Sequence, residues 1–212
     1  MKNLKVERIT LGVCQTNFYY VYEEGKTEVI AFDPADKGEL LYQKLTEKGF
    51  HVAAIFLTHG HFDHIWGVEE LRKRSGAKLY AYEDEKNLCE NDSLNISRDA
   101  GRPCTVTPDV LLKDGEQVEI AGMNFQVIAT PGHTEGGCCY YFEEEKFLIS
   151  GDTLFQESVG RTDFPTGSMS TLVRSVREKL MVLPDDVTVY PGHGECTTIG
   201  HERKYNPFVA EE

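Results

Sequence analysis

The sequence predicts an α/β protein in which two mixed β-sheets pack together and helices cover their outer faces. Strand-like apolar runs alternate with helix-like repeats along the chain. The strands come in hairpin-like pairs, which a purely parallel βαβ fold would not show. Of the 212 residues, 40% are apolar, enough to fill a core of this kind. No repeat or Pro/Gly/Ser-rich linker divides the chain, so we expect a single domain over residues 1–212.

The first half of the chain predicts five strands and two helices. Runs of β-branched and aromatic residues mark strands at 4–13, 17–23, 28–32, 52–57 and 78–82. The third of these ends at Asp33-Pro34, and the fourth is uniformly apolar, as in a strand buried on both faces. Leucines at helical spacing predict a helix from Leu40 to Gly49, and a second helix runs from Ile65 to near Gly76.

The second half predicts two strand pairs, one helix and a last strand. Residues 83–108 are polar and irregular, with short helical turns possible. A hairpin is expected from strands 117–120 and 124–129 around Ala121-Gly122, and a second pair of strands from 138–142 and 146–150. Apolar residues between Leu172 and Leu180 have the spacing of an amphipathic helix. A strand at 187–190 leads into a polar tail.

Composition excludes several classes of function. The chain has 35 acidic and 22 basic residues and a net charge of −13, which argues against binding nucleic acid or an anionic membrane surface. No apolar run reaches the ~18 residues of a membrane span, and the amino-terminal segment lacks a signal-peptide core. Six cysteines follow no disulfide or metal framework. We therefore expect free thiols and a cytoplasmic protein.

Candidate metal ligands occur in four short motifs, each of which follows a predicted strand. The motifs are THGHFDH at 58–64, PGHT at 131–134, SGDT at 150–153 and PGHG at 191–194. Residues two apart in an extended chain face the same side, so His59 and His61 can share one metal ion. Asp63 and His64 lie where the next helix begins and can address a neighbouring point, and Asp63 could also cap that helix, since the two roles are compatible.

The other three motifs add His133, Asp152 and His193, each of which alone could belong to a simple turn. Together, five histidines and two aspartates can build two three-residue clusters that share one carboxylate. Nitrogen and oxygen ligands of this kind suit zinc. Asp33, at the end of a strand, could accept a hydrogen bond from a ligand histidine or could be an ordinary turn residue.

The motifs THGHFDH, PGHT, SGDTLF and PGHG resemble those of the metallo-β-lactamase superfamily over nearly the whole chain. The resemblance implies an αβ/βα four-layer sandwich with a site at one edge of the sheets. It implies two divalent metal ions, zinc first, with iron or manganese as alternatives. One ion would be held by three histidines and the other by Asp63 and two histidines, with Asp152 bridging and both aspartates catalytic. These histidines are His59, His61 and His133 for the first ion, and His64 and His193 for the second.

Within the superfamily, the GRTDFP segment at 160–165 and the tail at 200–208 look like those of short glyoxalase II-like hydrolases. This resemblance implies cleavage of thioesters such as S-lactoylglutathione by a metal-bridging hydroxide. Arg161 would contact the small-molecule substrate, with a salt bridge to Asp163 as the alternative. We expect the chain to lack the helical carboxy-terminal domain with which full glyoxalase II binds glutathione.

Two further functions stay open at this point. The GRTDF segment also occurs in persulfide dioxygenases of the same fold, which bind a single iron. A metal-binding module without catalytic activity is the other alternative. Metal content measured together with oxygen consumption would separate the hydrolase from the dioxygenase, and turnover of any kind would exclude the non-catalytic module.

Overall fold

Two six-stranded sheets face each other in the computed structural model, which describes residues 3–210. The first sheet has the spatial order of the sequence. Its strands are β1 (Leu4–Leu11), β2 (Thr16–Glu23), β3 (Glu28–Phe32), β4 (His51–Phe56), β5 (Lys78–Tyr82) and β6 (Val110–Leu112). The pairs from β1 to β3 are antiparallel and those from β3 to β6 are parallel, so this sheet is mixed.

The second sheet uses the strands of the later half. These are β7 (Gln117–Ile120), β8 (Met123–Ala129), β9 (Cys138–Phe142), β10 (Phe147–Gly151), β13 (Thr188–Pro191) and β14 (Thr197–Thr198), with the small hairpin β11 (Leu154–Phe155) and β12 (Ser158–Val159) beside them. Their order is β14-β13-β10-β9-β8-β7, and only the β10–β13 pair is parallel among the described strands of this sheet.

The helices lie on the outer faces and in the connections. They are α1 (Gly38–Glu47), α2 (Phe62–Ile65), α3 (Val68–Ser75), α4 (Lys86–Cys89), α5 (Met169–Ser175) and α6 (Ile199–Tyr205). A 3₁₀ turn, Glu83–Glu85, precedes α4, and α5 continues as the π-helical segment Val176–Leu180. None of the helices among residues 3–210 has both the length and the apolar character needed to cross a bilayer.

Three layers of apolar contact hold the sandwich together. Between the sheets, aromatic side chains such as Phe32, Phe56 and Tyr140 form the central core. Helices α1 and α3 cover the outer face of the first sheet, while α5, its π-helical continuation and α6 cover that of the second. Helix, sheet, sheet and helix therefore follow one another, which confirms the predicted αβ/βα four-layer fold.

The structure adds elements that the sequence analysis did not predict. The polar tail contains α6, whose first turn is capped by the Thr198 hydroxyl through a hydrogen bond from the His201 amide. Strand β6 was also not predicted, and it follows residues 83–108, in which the one-turn helix α4 is one of the short helical turns that the sequence allowed. The six cysteines all lie within the described residues and form no disulfide.

Candidate metal centre

The four ligand motifs meet at one edge of the sandwich. Residues 59–64 follow β4 of the first sheet, whereas the motifs after β8, β10 and β13 come from the second sheet. The site borders a cavity of about 470 Å³ whose walls include Phe62, Phe155, Val159 and Phe164. The rigid strands thus bring residues that are far apart in the sequence to a single point.

A first group consists of three buried imidazoles. The Nε2 atom of His133 lies 3.2 Å from His59 Nε2 and 2.9 Å from His61 Nδ1. Burial, together with the neighbouring rings, lowers the pKa of His61 to about 3, and burial also lowers the pKa values of His59 and His133. Neutral imidazoles whose nitrogens converge in this way offer lone pairs to a cation. This group can therefore hold a zinc-like ion.

A second group combines a carboxylate with two imidazoles. Asp63 Oδ2 lies 3.3 Å from His193 Nε2 and 3.7 Å from His64 Nε2. Burial opposes the charge on Asp63, but the neighbouring His64 and His193 lower the pKa of this carboxyl to about 2. The hydroxyl of Thr16 also donates a hydrogen bond to Asp63 Oδ2. A helix-cap role for Asp63 is wrong, because His61 occupies the cap position of α2 and Asp63 lies inside the helix.

Asp152 lies between the two groups. Its Oδ2 atom is 3.5 Å from His133 Nε2 in the first group and 3.4 Å from His193 Nε2 in the second. Its Oδ1 atom is 3.4 Å from His64 Nε2. One carboxylate therefore reaches ligand atoms of both groups, as a bridging ligand must.

Three buried side-chain atoms at this point make no hydrogen bond within the described part of the protein. Among residues 3–210, the buried side-chain nitrogen and oxygen atoms without a hydrogen bond are His64 Nε2, Asp152 Oδ1 and His61 Nε2. Buried polar atoms nearly always make a hydrogen bond. The carboxylate oxygen Asp152 Oδ1 and the imidazole nitrogen His64 Nε2 face each other without one, and this needs an explanation. A divalent cation held by His64 and Asp152 would explain both atoms, and the donor set of both groups fits such an ion.

The outer nitrogens of several ligand rings are held by hydrogen bonds. Asp33 Oδ2 lies 2.9 Å from His64 Nδ1, and this carboxylate also accepts hydrogen bonds from the Thr58 amide and hydroxyl. The carbonyl of Arg161 lies 2.6 Å from His133 Nδ1, and the carbonyl of Cys14 lies 3.1 Å from His193 Nδ1. Since these acceptors favour a proton on Nδ1, they direct each Nε2 lone pair toward the centre. Asp33 is thus more than a turn residue.

The loop that carries His193 passes directly over Asp152 and His64. A side chain at Gly192 would place its Cβ atom 2.2 Å from Asp152 Oδ1 and 2.7 Å from His64 Cε1. Strand β2 holds this loop in place, since the Asn17 amide donates to the Gly192 carbonyl at 2.7 Å. The close approach explains the glycine at position 192 of the PGHG motif.

One buried acid near the centre was missed by the sequence analysis. Glu85 accepts hydrogen bonds from the Gly60 amide at 2.7 Å, the Thr134 hydroxyl at 2.9 Å and the Gly136 amide at 3.0 Å. Burial raises the pKa of Glu85 to about 7, although these donors oppose the shift. Because Glu85 lies in the segment predicted to be irregular and belongs to no motif, nothing in the sequence singled it out.

Arg161 lines the same cavity, but its guanidinium is already engaged. Nε and Nη2 donate to the two carboxylate oxygens of Asp163 at 2.7 and 2.6 Å, and the group lies 3.8 Å from the centre of the Phe164 ring. The expected alternative, a salt bridge to Asp163, is therefore present. A contact between Arg161 and substrate stays a prediction.

Comparison with known proteins identifies the family. Residues 11–193 match the sequence model described as the metallo-beta-lactamase superfamily. The chain belongs to the metallo-β-lactamase superfamily. Among curated members, it is 36% identical over 208 residues to the probable metallo-hydrolase YqgX of Bacillus subtilis strain 168, covering 97% of this chain and 98% of that protein. It is 35% identical over 213 residues to the hydroxyacylglutathione hydrolase GloC of Haemophilus influenzae, with coverage of 97% and 98%.

Solved structures of this superfamily superpose closely on the chain. BLEG-1, described as a B3 metallo-β-lactamase, has a TM-score of 0.92 at 39% identity and covers 98% of this chain and 100% of its own. TTHA1623 in a di-iron-bound form has a TM-score of 0.86 at 35% identity, with coverage of 96% and 100%. ETHE1 from Myxococcus xanthus has a TM-score of 0.81 at 28% identity, with coverage of 97% and 84%.

Proposed function

We propose that this metallo-hydrolase family member cleaves thioesters at two adjacent divalent metal ions. The observation that carries the proposal is the position of Asp152, within 3.5 Å of ligand nitrogens from both groups. A carboxylate so placed can bridge two ions, and two-ion sites are suited to attack of water on a carbonyl carbon. The relative named hydroxyacylglutathione hydrolase supports a thioester as the substrate class.

The protein's own groups would position the reactants. When bound, a pair of divalent ions supplies a water of lowered pKa and polarises the carbonyl oxygen of the substrate. Asp63 and Asp152 present carboxylate oxygens toward the space between the two groups, where they can accept a hydrogen bond from the attacking water. The leaving thiolate has an ordinary thiol pKa of about 8.5, so its departure needs no dedicated general acid.

The cavity favours a substrate with an apolar portion. The aromatic rings of Phe62, Phe155 and Phe164 and the side chain of Val159 form its walls next to the metal ligands. Among the described residues that line it, Arg161 is the one arginine or lysine, and its guanidinium pairs with Asp163. We propose that the acyl group and the sulfur bind against these rings, and that Arg161 contacts substrate at the cavity mouth.

Zinc is the metal that we propose first, with iron or manganese as alternatives. Five imidazoles and two carboxylates suit zinc, while the di-iron form of TTHA1623 supports iron in a related site. The free thiols of this chain are compatible with a reducing compartment, and we propose a cytoplasmic location.

Elemental analysis of the purified protein, together with assays of thioester hydrolysis and oxygen uptake, tests this function. We expect two metal ions per chain and release of thiol from S-lactoylglutathione without oxygen uptake. One iron per chain with oxygen uptake on a glutathione persulfide would overturn the proposal in favour of the dioxygenase. Full metal content with turnover of neither substrate would favour the non-catalytic module.

A further inference from the structure

We infer that Glu85 is a positioning residue that holds the three-histidine group in its ligand geometry. The inference rests on the proposed metal centre but is independent of the substrate. Glu85 ends the 3₁₀ turn after β5, and its side chain is buried. It lies behind the metal ligands and takes no part in the proposed reaction.

The Glu85 carboxylate joins two loops that come from different sheets. Its Oε1 atom accepts from the amide of Gly60, which lies between His59 and His61 in the loop after β4. Its Oε2 atom accepts from the Thr134 hydroxyl and the Gly136 amide, directly after His133 in the loop that follows β8. One carboxylate therefore fixes the backbone on both sides of the group.

The loops have no space in which to shift against this segment. A Cβ atom at Gly136 would lie 2.1 Å from the Glu85 backbone nitrogen, and one at Gly60 would lie 2.7 Å from the Sγ atom of Cys89. The glycines thus allow both loops to rest directly on residues 85–89. A displacement of the carboxylate would therefore be passed on to the imidazole rings.

The two backbone N–H groups require an acceptor at both oxygens of the Glu85 side chain. Two backbone N–H groups and one hydroxyl point at the carboxylate, and a carboxylate offers only acceptors. In Glu85→Gln, the amide NH₂ must face the Gly60 N–H in one orientation and the Gly136 N–H in the other. The variant keeps the size of the side chain and loses at least one of these hydrogen bonds.

The chain contains a matched control. Glu202 is equally buried, and it accepts hydrogen bonds from the Glu157 amide, the Thr197 hydroxyl and the Asn206 side chain. None of these partners is one of the seven ligands. Glu202→Gln therefore imposes the same chemical change on a buried carboxylate that holds α6, without touching the ligand loops.

The experiment measures Zn²⁺ affinity by competition with a chelator, and the visible absorption of the Co²⁺-substituted protein. For Glu85→Gln we expect the Zn²⁺ affinity of the three-histidine group to fall about 10- to 100-fold, the usual effect of losing a partner behind metal ligands, and the Co²⁺ spectrum to change. Glu202→Gln should lower the melting temperature of the metal-free protein but keep wild-type affinity and spectrum.

Wild-type affinity and an unchanged spectrum in folded Glu85→Gln would overturn the inference, as would an equal loss in both variants. If Glu85→Gln does not fold, Thr134→Val decides the question, because it removes one hydrogen bond to Glu85 and leaves both backbone donors. Weaker Zn²⁺ binding by Thr134→Val supports the role, and unchanged binding overturns it. A wild-type protein that binds no Zn²⁺, Fe²⁺ or Mn²⁺ would overturn the proposed function as well, so the two failures are distinguishable.

Discussion

Replacement of Asp33 by asparagine should weaken metal binding by the second group without changing the size of the side chain. Asp33 Oδ2 now faces His64 Nδ1 at 2.9 Å and the Thr58 hydroxyl at 2.6 Å, while Oδ1 accepts from the Thr58 amide at 2.8 Å. If the new NH₂ group takes the Oδ2 position, it donates to Nδ1 and moves the imidazole proton to Nε2. That proton would then occupy the direction in which His64 must bind metal.

The opposite orientation of the amide has a different cost. The NH₂ group would then face the Thr58 N–H, leaving a buried donor unpaired at a cost of about 1–3 kcal/mol. Losing a hydrogen bond behind a metal ligand typically lowers affinity about 10- to 100-fold, or ~1.4–2.7 kcal/mol. Metal binding requires the variant either to displace the proton on Nε2 or to turn its amide and leave the Thr58 N–H unpaired, so we expect Asp33→Asn to weaken Zn²⁺ binding by about this factor.

Chelator competition on metal-free protein measures this loss, with Asp36→Asn as the control. Asp36 lies three residues further along the same loop and pairs with Arg102 near the surface, where an ion pair contributes about 0–1 kcal/mol. The control should bind Zn²⁺ like the wild type. If Asp33→Asn also binds like the wild type, Asp33 does not orient His64 and the argument from its hydrogen bonds is refuted.

Four further predictions concern thioester turnover, substrate preference and the release of a proton on metal binding. Asp152→Ala should lower thioester turnover by a factor of about 10 to 100 or more, while circular dichroism shows that the variant is folded. Full activity of this variant would refute the bridging role of Asp152. Joint replacement of Cys138 and Cys139 by alanine should lower the melting temperature, because both are buried, but keep turnover within about tenfold; lost turnover at full metal content would contradict this. Since an ion pair already holds the Arg161 guanidinium, kcat/KM for S-lactoylglutathione should exceed that for the same acyl group on a truncated thiol by less than ~100-fold. Although burial opposes the shift, contacts with two aspartates raise the pKa of His193 to about 10 in the metal-free protein. Zn²⁺ binding at pH 8 should therefore release a proton and become stronger as pH rises. Calorimetry in buffers of different ionisation enthalpy measures this proton release, and binding without proton release would contradict the prediction.

The fold was predictable from the sequence where local pattern and tertiary structure agree. The hairpin of β7 and β8 is an example, because Ala121 and Gly122 both adopt left-handed backbone angles, φ 53° and 75°, between two apolar runs. Helix α6 was missed because it is short and buries only Ile199 and Glu202, which gives no clear apolar period. Strand β6 has three residues, too few for any periodic signal.

The ligand motifs were visible because each combines a strand end with a residue type that binds metal. Asp33 was visible for the same reason, since it directly follows β3 and precedes a proline. Glu85 was not, because its hydrogen-bond partners are 25, 49 and 51 positions away in the sequence. Glu85 acquires its role only when two loops from different sheets pack against it, and no local sequence pattern predicts that packing.

Each metal-binding group takes ligands from both sheets, and this affects when the centre can form during synthesis. His59 and His133 are 74 positions apart, and His193 lies further still from Asp63. A chain leaving the ribosome therefore presents an incomplete three-histidine group until residue 133 has emerged, and an incomplete second group until residue 193 has emerged. A metal ion bound at either position would cross-link the amino-terminal and carboxy-terminal halves, and chelation of the finished protein would remove a link between its sheets.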